Sequence, residues 1–203
     1  MASNFARLAM LAVFSGLSVN LILQLGLGIK RIAFSGEFIS RGKPGRKRYL
    51  IELALFFITV ILLWPVFSFA RSILFLGLLE YILVFPVSLF VFSMLEYFST
   101  KIIRKLSYDP EEAILYGGTL SGASLFITLN TAGSFLDAMI LSAGYAAGIA
   151  LAIKIISEIR LRSEMEAVPK SLQGSPLVLI AMGLLSLVFS AAALMLYQVL
   201  GAK

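Results

Sequence analysis

Two kinds of residue in this chain could do chemistry: a carboxylate set in an apolar run, and glycines that loosen apolar runs. Glu80 is the carboxylate, embedded in LGLLEYILVF, residues 76–85. A charged carboxyl in lipid is costly unless it is paired or protonated, so its functional reading is proton or cation handling. The plainer reading is an interfacial glutamate within reach of water. Asp137, near the start of a later apolar run, could share an aqueous vestibule with it, although its interfacial position favours the plainer reading. Among the acids, Glu80 is the one expected to titrate inside the membrane.

The glycines fall in two stretches. NLILQLGLGIKRIAF, Asn20 to Phe34, ends an apolar run, is loosened by Gly26 and Gly28, and closes on Lys30 and Arg31. YGGTLSGASLF, Tyr116 to Phe126, holds Gly117, Gly118 and Gly122 about halfway along the chain. Interrupted helices at matching places in two halves point to a site near the bilayer midplane, where freed amides or carbonyls face a cofactor or ion. Small residues also let membrane helices pack closely, and that reading stays open.

The elements that position these residues follow from composition. The chain has 203 residues, of which 60% are hydrophobic and 14% charged. That charge content is well below the roughly 25% of soluble domains. Together with a mean hydropathy of +0.97, it indicates an integral membrane protein. Strand-sized alternating segments are missing, so an all-α bundle is the expected way to satisfy the backbone in lipid. There is no cysteine and no histidine. This excludes disulfides, thiolate nucleophiles, cysteine-held iron–sulfur clusters and ordinary zinc sites on this chain's own side chains.

Six spans of about 20 residues are expected: Ala9–Ile29, Leu50–Phe69, Ile73–Leu95, Ala113–Leu129, Phe135–Ile156 and Pro176–Val199. The first reads as a retained span, not a cleaved leader. Trp64-Pro65 is a plausible interface anchor and kink, and Pro86 should bend the third span. Asp109-Pro110-Glu111-Glu112 reads as a helix start. Lys154, Glu158 and Arg162 form i,i+4 pairs on a helix leaving the membrane.

Orientation follows from Lys and Arg. One side carries Lys30, Arg31, Arg41, Lys43, Arg46, Lys47, Arg48, Lys101, Arg104, Lys105, Arg160, Arg162 and Lys170. The other carries Arg7, Arg71 and Lys203. The expected arrangement has both termini outside and the longer loops in the cytoplasm. The net charge of +6 thus reads as a topology signal, not a nucleic-acid footprint. The loop Arg41–Arg48 (Arg41, Lys43, Arg46, Lys47, Arg48) is a topology determinant that also meets anionic lipid. A cytoplasmic docking surface is its second reading.

Residues 1–203 read as one domain with halves of about 1–100 and 101–203, each holding three spans. An odd number per half makes internal similarity an inverted 3+3 repeat with two interrupted helices. Ser15-Gly16-Leu17-Ser18 and Ser121-Gly122-Ala123-Ser124 share the pattern SGxS.

The C-terminal third is the most specific stretch. Ile159-Arg160, Val168-Pro169, Leu172-Gln173-Gly174-Ser175-Pro176-Leu177 and Ala181-Met182-Gly183-Leu184-Leu185-Ser186-Leu187 form an ordered string. It resembles the six-span membrane subunits of the Rnf/Nqr family, especially the A-type subunit of Rnf and the E-type subunit of Nqr. Their ends run close to IRER…DVPxxFRGxPIxLIxAGLMSLAF. The likeness extends more loosely through Leu95-Glu96, Thr119–Ala123 and Asn20–Gly28.

The resemblance implies a pair of homologous, oppositely oriented subunits in a bacterial or archaeal plasma membrane. In the family, their half-helices hold an iron–sulfur cluster through cysteines. Electrons cross the bilayer there, coupled to Na⁺ or H⁺ translocation. Leu25-Gly26-Leu27-Gly28 stands against the family's LGLC, and Thr119–Ala123 against TTNCA. Gly28 and Gly122 are therefore the vacated ligand positions, and this chain supplies no thiolate to a cluster. Iron–sulfur and flavin groups are expected only in partner subunits. The function implied is a non-catalytic subunit of a redox-driven ion-translocating complex. The alternatives are a small-solute or ion transporter, or a structural membrane partner, on the same fold.

Overall fold

The computed structural model describes residues 2–23, 43–71, 74–102, 117–165, 169 and 175–201. These form helices, with no strand among the described residues. In chain order they are α1 (Ala2–Val13), continued by a wider turn over Phe14–Ser18, then α2 (Lys43–Arg71) and α3 (Leu74–Ile102). After these come α4 (Thr119–Thr131), α5 (Phe135–Met165) and α6 (Ser175–Gly201).

Four helices contain a stretch long and apolar enough to cross a membrane: Leu50–Arg71, Ile82–Lys101, Phe135–Ile159 and Pro176–Val199. Their outer faces are apolar. Phe69, Ile82, Phe90, Leu187, Met195 and Val199 are all more than six-tenths exposed. An apolar belt of this extent is a lipid-facing surface. The expected first and fourth spans differ. The first is helical to Ser18 and then turns at Val19–Leu23, with residues 24–42 outside the description. The described part of the fourth is a helix of 13 residues, Thr119–Thr131, about 20 Å at 1.5 Å per residue, with residues 103–116 outside the description. The described order is thus short, long, long, and again short, long, long.

Other expectations fare variously. α2 begins at Lys43, so the basic stretch from Lys43 onward is the start of a helix and not a loop. Pro44 stands in its first turn, where the missing N–H disrupts nothing. The helices run on through Pro65 and Pro86. Trp64 meets Phe135 with ring centroids 6.0 Å apart. Glu158 takes Arg162 at 3.3 Å as its partner, rather than Lys154. Asp109–Glu112, and the side chains of Arg41, Lys43, Arg46, Lys47 and Arg48, lie outside the described residues.

The two short helices are exchanged between halves. α4 packs against α2 and α3, the long helices of the first half. α1 and its terminal turn pack against α5 and α6, the long helices of the second half. α2 against α5 joins the two groups. The direction of each contact is fixed by its residue pairs. Arg7 meets Asp137, Ser15 meets Gly144 and Gly16 meets Gly148, so α1 and α5 run parallel. Gly117 meets Phe92, Gly118 meets Leu89 and Gly122 meets Phe85, so α4 and α3 run antiparallel. Leu21, Ile22, Val60, Val84, Leu125, Leu141 and Ile156 are among the most deeply buried apolar residues of the shared core.

Candidate functional site

α4 is the most enclosed element. Leu120 through Leu125, Thr128 and Leu129 are buried along it. Its hydroxyls turn back on its own backbone: Ser121 Oγ donates to the Gly118 carbonyl at 2.9 Å, Ser124 to Ser121 at 3.0 Å, and Thr128 to Ser124 at 2.7 Å. The helix therefore carries hydroxyls into the core while satisfying them within itself.

Its glycines are contact points. A Cβ at Gly117 would enter the Phe92 ring, and one at Gly118 would meet Leu89. At Gly122 a Cβ would lie 2.7 Å from Ser88 Oγ and 2.9 Å from Phe85 Cδ1. The close-packing reading of these three glycines is the one their surroundings support. A cysteine-held cluster does not fit at Gly122, because the space a ligand side chain would need is filled by α3. Gly26 and Gly28 lie outside the described residues. No group of three or more His, Cys, Asp or Glu able to hold a metal ion occurs among the described residues.

Glu80 is buried, with 2% of its surface exposed, on the second turn of α3. Arg71 at the end of α2 grips it with two nitrogens; Nη2 donates to Oε1 at 2.8 Å. The same guanidinium donates to the Leu129 carbonyl and to Asn130 Oδ1, the latter at 2.9 Å. A cation at the C-terminal end of α4 satisfies a carbonyl left without a helical partner and opposes the helix dipole. Glu80 therefore joins α2, α3 and the end of α4 in one charged node. It is one of four buried carboxylates among the described residues, with Asp137, Glu96 and Glu52.

Asp137 has its own guanidinium, that of Arg7 on α1. It sits in the first turn of α5, where an acid complements the helix N-terminus, and its N–H donates to Ser134 Oγ at 3.2 Å. The structure thus gives Glu80 and Asp137 separate arginines, Arg71 and Arg7.

The break after α1 is built by Asn20, which is 1% exposed. Its Nδ2 donates to the Gly148 carbonyl at 2.9 Å and to Gly16 at 3.3 Å. Its Oδ1 accepts from the N–H groups of Ile22 and Leu23, both at 3.2 Å. Both donors and both acceptor positions of the amide are used. The side chain offers the backbone a turn in place of another helical bond. Just before the break, Gly16 presses on Gly144 and Gly148 of α5 with almost nothing between the two backbones.

Sequence reasoning did not single out Asn20, Gly144, Gly148 or Tyr145. An amide inside an apolar run and the spacing Gly144-x-x-x-Gly148 were the available signals. Tyr145 is 1% exposed, and its hydroxyl has no hydrogen-bond partner among the described residues.

No protein-family model, curated protein or solved structure matches this chain.

Proposed function

We propose that this chain is a scaffolding membrane subunit on the Rnf/Nqr plan. It is an inverted 3+3 repeat that pairs with a homologous, oppositely oriented subunit and carries no cluster of its own. The observation that carries this reading is the filled space at Gly122, where Ser88 and Phe85 occupy the room a ligand would need. The doubled short–long–long order, with each short helix seated between the long helices of the other half, supports the repeat. The parallel pairing of α1 with α5 supports spans that alternate in direction. Bilayer placement with both termini outside rests on the Lys and Arg distribution. A solute path would call for a polar cavity beside Gly122, and the packing there favours the scaffold over the transporter. Glu80, held by Arg71, serves this reading as a structural acid.

The test is purification of the native complex in mild detergent, with identification of the chains that come with it and analysis of iron. A homologous six-span chain and flavin- or iron-bearing subunits should co-purify, and the iron should leave with the partners. Stoichiometric iron on this chain alone would contradict the proposal.

A further inference from the structure

Where α1 and α5 approach through Gly16, Gly144 and Gly148, they leave a trough on the outside of the bundle. It holds about 480 Å³ and is lined almost entirely by apolar atoms. Ala143 and Ala147 on its floor and Leu151 at its inner end are exposed. Along α5 it runs from Ile140 to Leu151, about 16 Å at 1.5 Å per residue. That is close to one leaflet, half of a hydrocarbon core of about 30 Å. One turn beyond Ile140, the Arg7–Asp137 pair closes the seam between the helices. Only Nη2 of Arg7 is engaged by Asp137, and the arginine side chain is 60% exposed.

We infer that the trough holds a single phospholipid, with an acyl chain laid along Ala143 and Ala147 and its phosphate on the Arg7 guanidinium. Each part follows from the chemistry of the surface. An apolar trough in a bilayer is filled by hydrocarbon, since an empty one forfeits dispersion contacts along its whole length. The planar guanidinium is the side chain best matched to a phosphate, and it stands where the headgroup layer begins. A helix of a second protein is the other occupant that small residues admit. A spanning helix presents about 30 Å of side chains, roughly twice the length of this trough. The site is separate from the Gly122 seat, so it stands or falls independently of the scaffold reading.

The experiment is native mass spectrometry of the detergent-purified protein, paired with photolabelling by phosphatidylglycerol carrying a diazirine on its acyl chain. The wild-type chain should retain a phospholipid adduct, and the label should map to residues 12–17 and 140–151. The double variant Ala143→Leu/Ala147→Leu, whose new side chains fill the trough from its exposed floor, should lose both adduct and label. Arg7→Gln should keep the label but lose preference for phosphatidylglycerol over phosphatidylcholine. Label distributed elsewhere on the wild-type chain overturns the inference, whatever the fate of the variants. So does an adduct that survives the leucines. Leucines that dissociate an oligomer while leaving the lipid in place would assign the trough to a partner helix instead.

Discussion

The two short helices occupy corresponding places in the chain, yet they are held by opposite means. α4 is seated by side chains: the Phe92 ring covers Gly117, Leu89 covers Gly118, and Ser88 with Phe85 covers Gly122. α1 is seated mainly by backbone, with Gly148 lying directly on the Gly16 carbonyl group and Ser15 the one side chain that covers Gly144. Their ends differ in the same sense. α4 is capped from outside by Arg71, and α1 is turned from within by its own Asn20. Side-chain tips can rotate away from an intruding methyl group, whereas a helix backbone moves only with the whole helix. The α1 seat should therefore be the less forgiving of the two, and the trough beside it is the consequence of so little side-chain bulk.

Gly148→Ala should show the largest effect. Its Cβ would collide with the Gly16 carbonyl, for an expected loss of about 3 kcal/mol. Gly117→Ala, which meets only the far edge of a phenyl ring, should lose less. Unfolding of the two variants in mixed micelles measures the difference, and equal losses would remove the contrast between the seats.

Arg71→Gln comes next. It leaves Glu80 buried without a cation and the end of α4 without its cap. Breaking a buried pair costs about 3–5 kcal/mol, and partial exposure of Arg71 lowers the expectation to about 2–3 kcal/mol. Restoration of stability in Arg71→Gln/Glu80→Gln would show that the uncompensated charge, not the lost cap, dominates.

Asn20→Ala removes the turn that ends α1 and should cost about 2 kcal/mol, since four hydrogen-bonding groups lose their partner in the core. Hydrogen exchange at Ile22 and Leu23 should rise with it. At the small end is Gly183→Ala on α6, where a Cβ meets nothing within 4 Å. It should stabilise the helix by about 0.5 kcal/mol through lower backbone entropy. A loss there would reveal a partner surface on α6.

The apolar runs were enough to place the four long helices, and the described part of the glycine-diluted fourth run, Thr119–Thr131, is helical. The end of the first run was not legible. Leu21, Ile22 and Leu23 extend the hydropathy of α1, and hydropathy does not register the turn that one amide side chain imposes at Asn20. Glu80 stood out as an anomaly because a carboxylate in an apolar run needs an explanation. Its partner was nine positions away across a helix hairpin, and the partner of Asp137 was 130 positions away. No local pattern encodes such pairs.

The SGxS repeat was misleading in a specific way. Gly16 faces α5, the second helix of the opposite half, whereas Gly122 faces α3, the third helix of the opposite half. Matching tetrapeptides therefore sit in unmatched seats.

Because the chain has no cysteine, a cysteine introduced anywhere is its sole thiol. The most direct test of the packed α4 seat is maleimide labelling of Gly122→Cys, with Gly133→Cys in the exposed turn before α5 as the reference. The account predicts that Gly122→Cys melts at a lower temperature and that its thiol reacts only on unfolding, while Gly133→Cys labels at once. A folded Gly122→Cys protein with unchanged melting and a labelling rate close to that of Gly133→Cys would contradict it. That result would place a water-filled centre where the structure has Ser88 and Phe85.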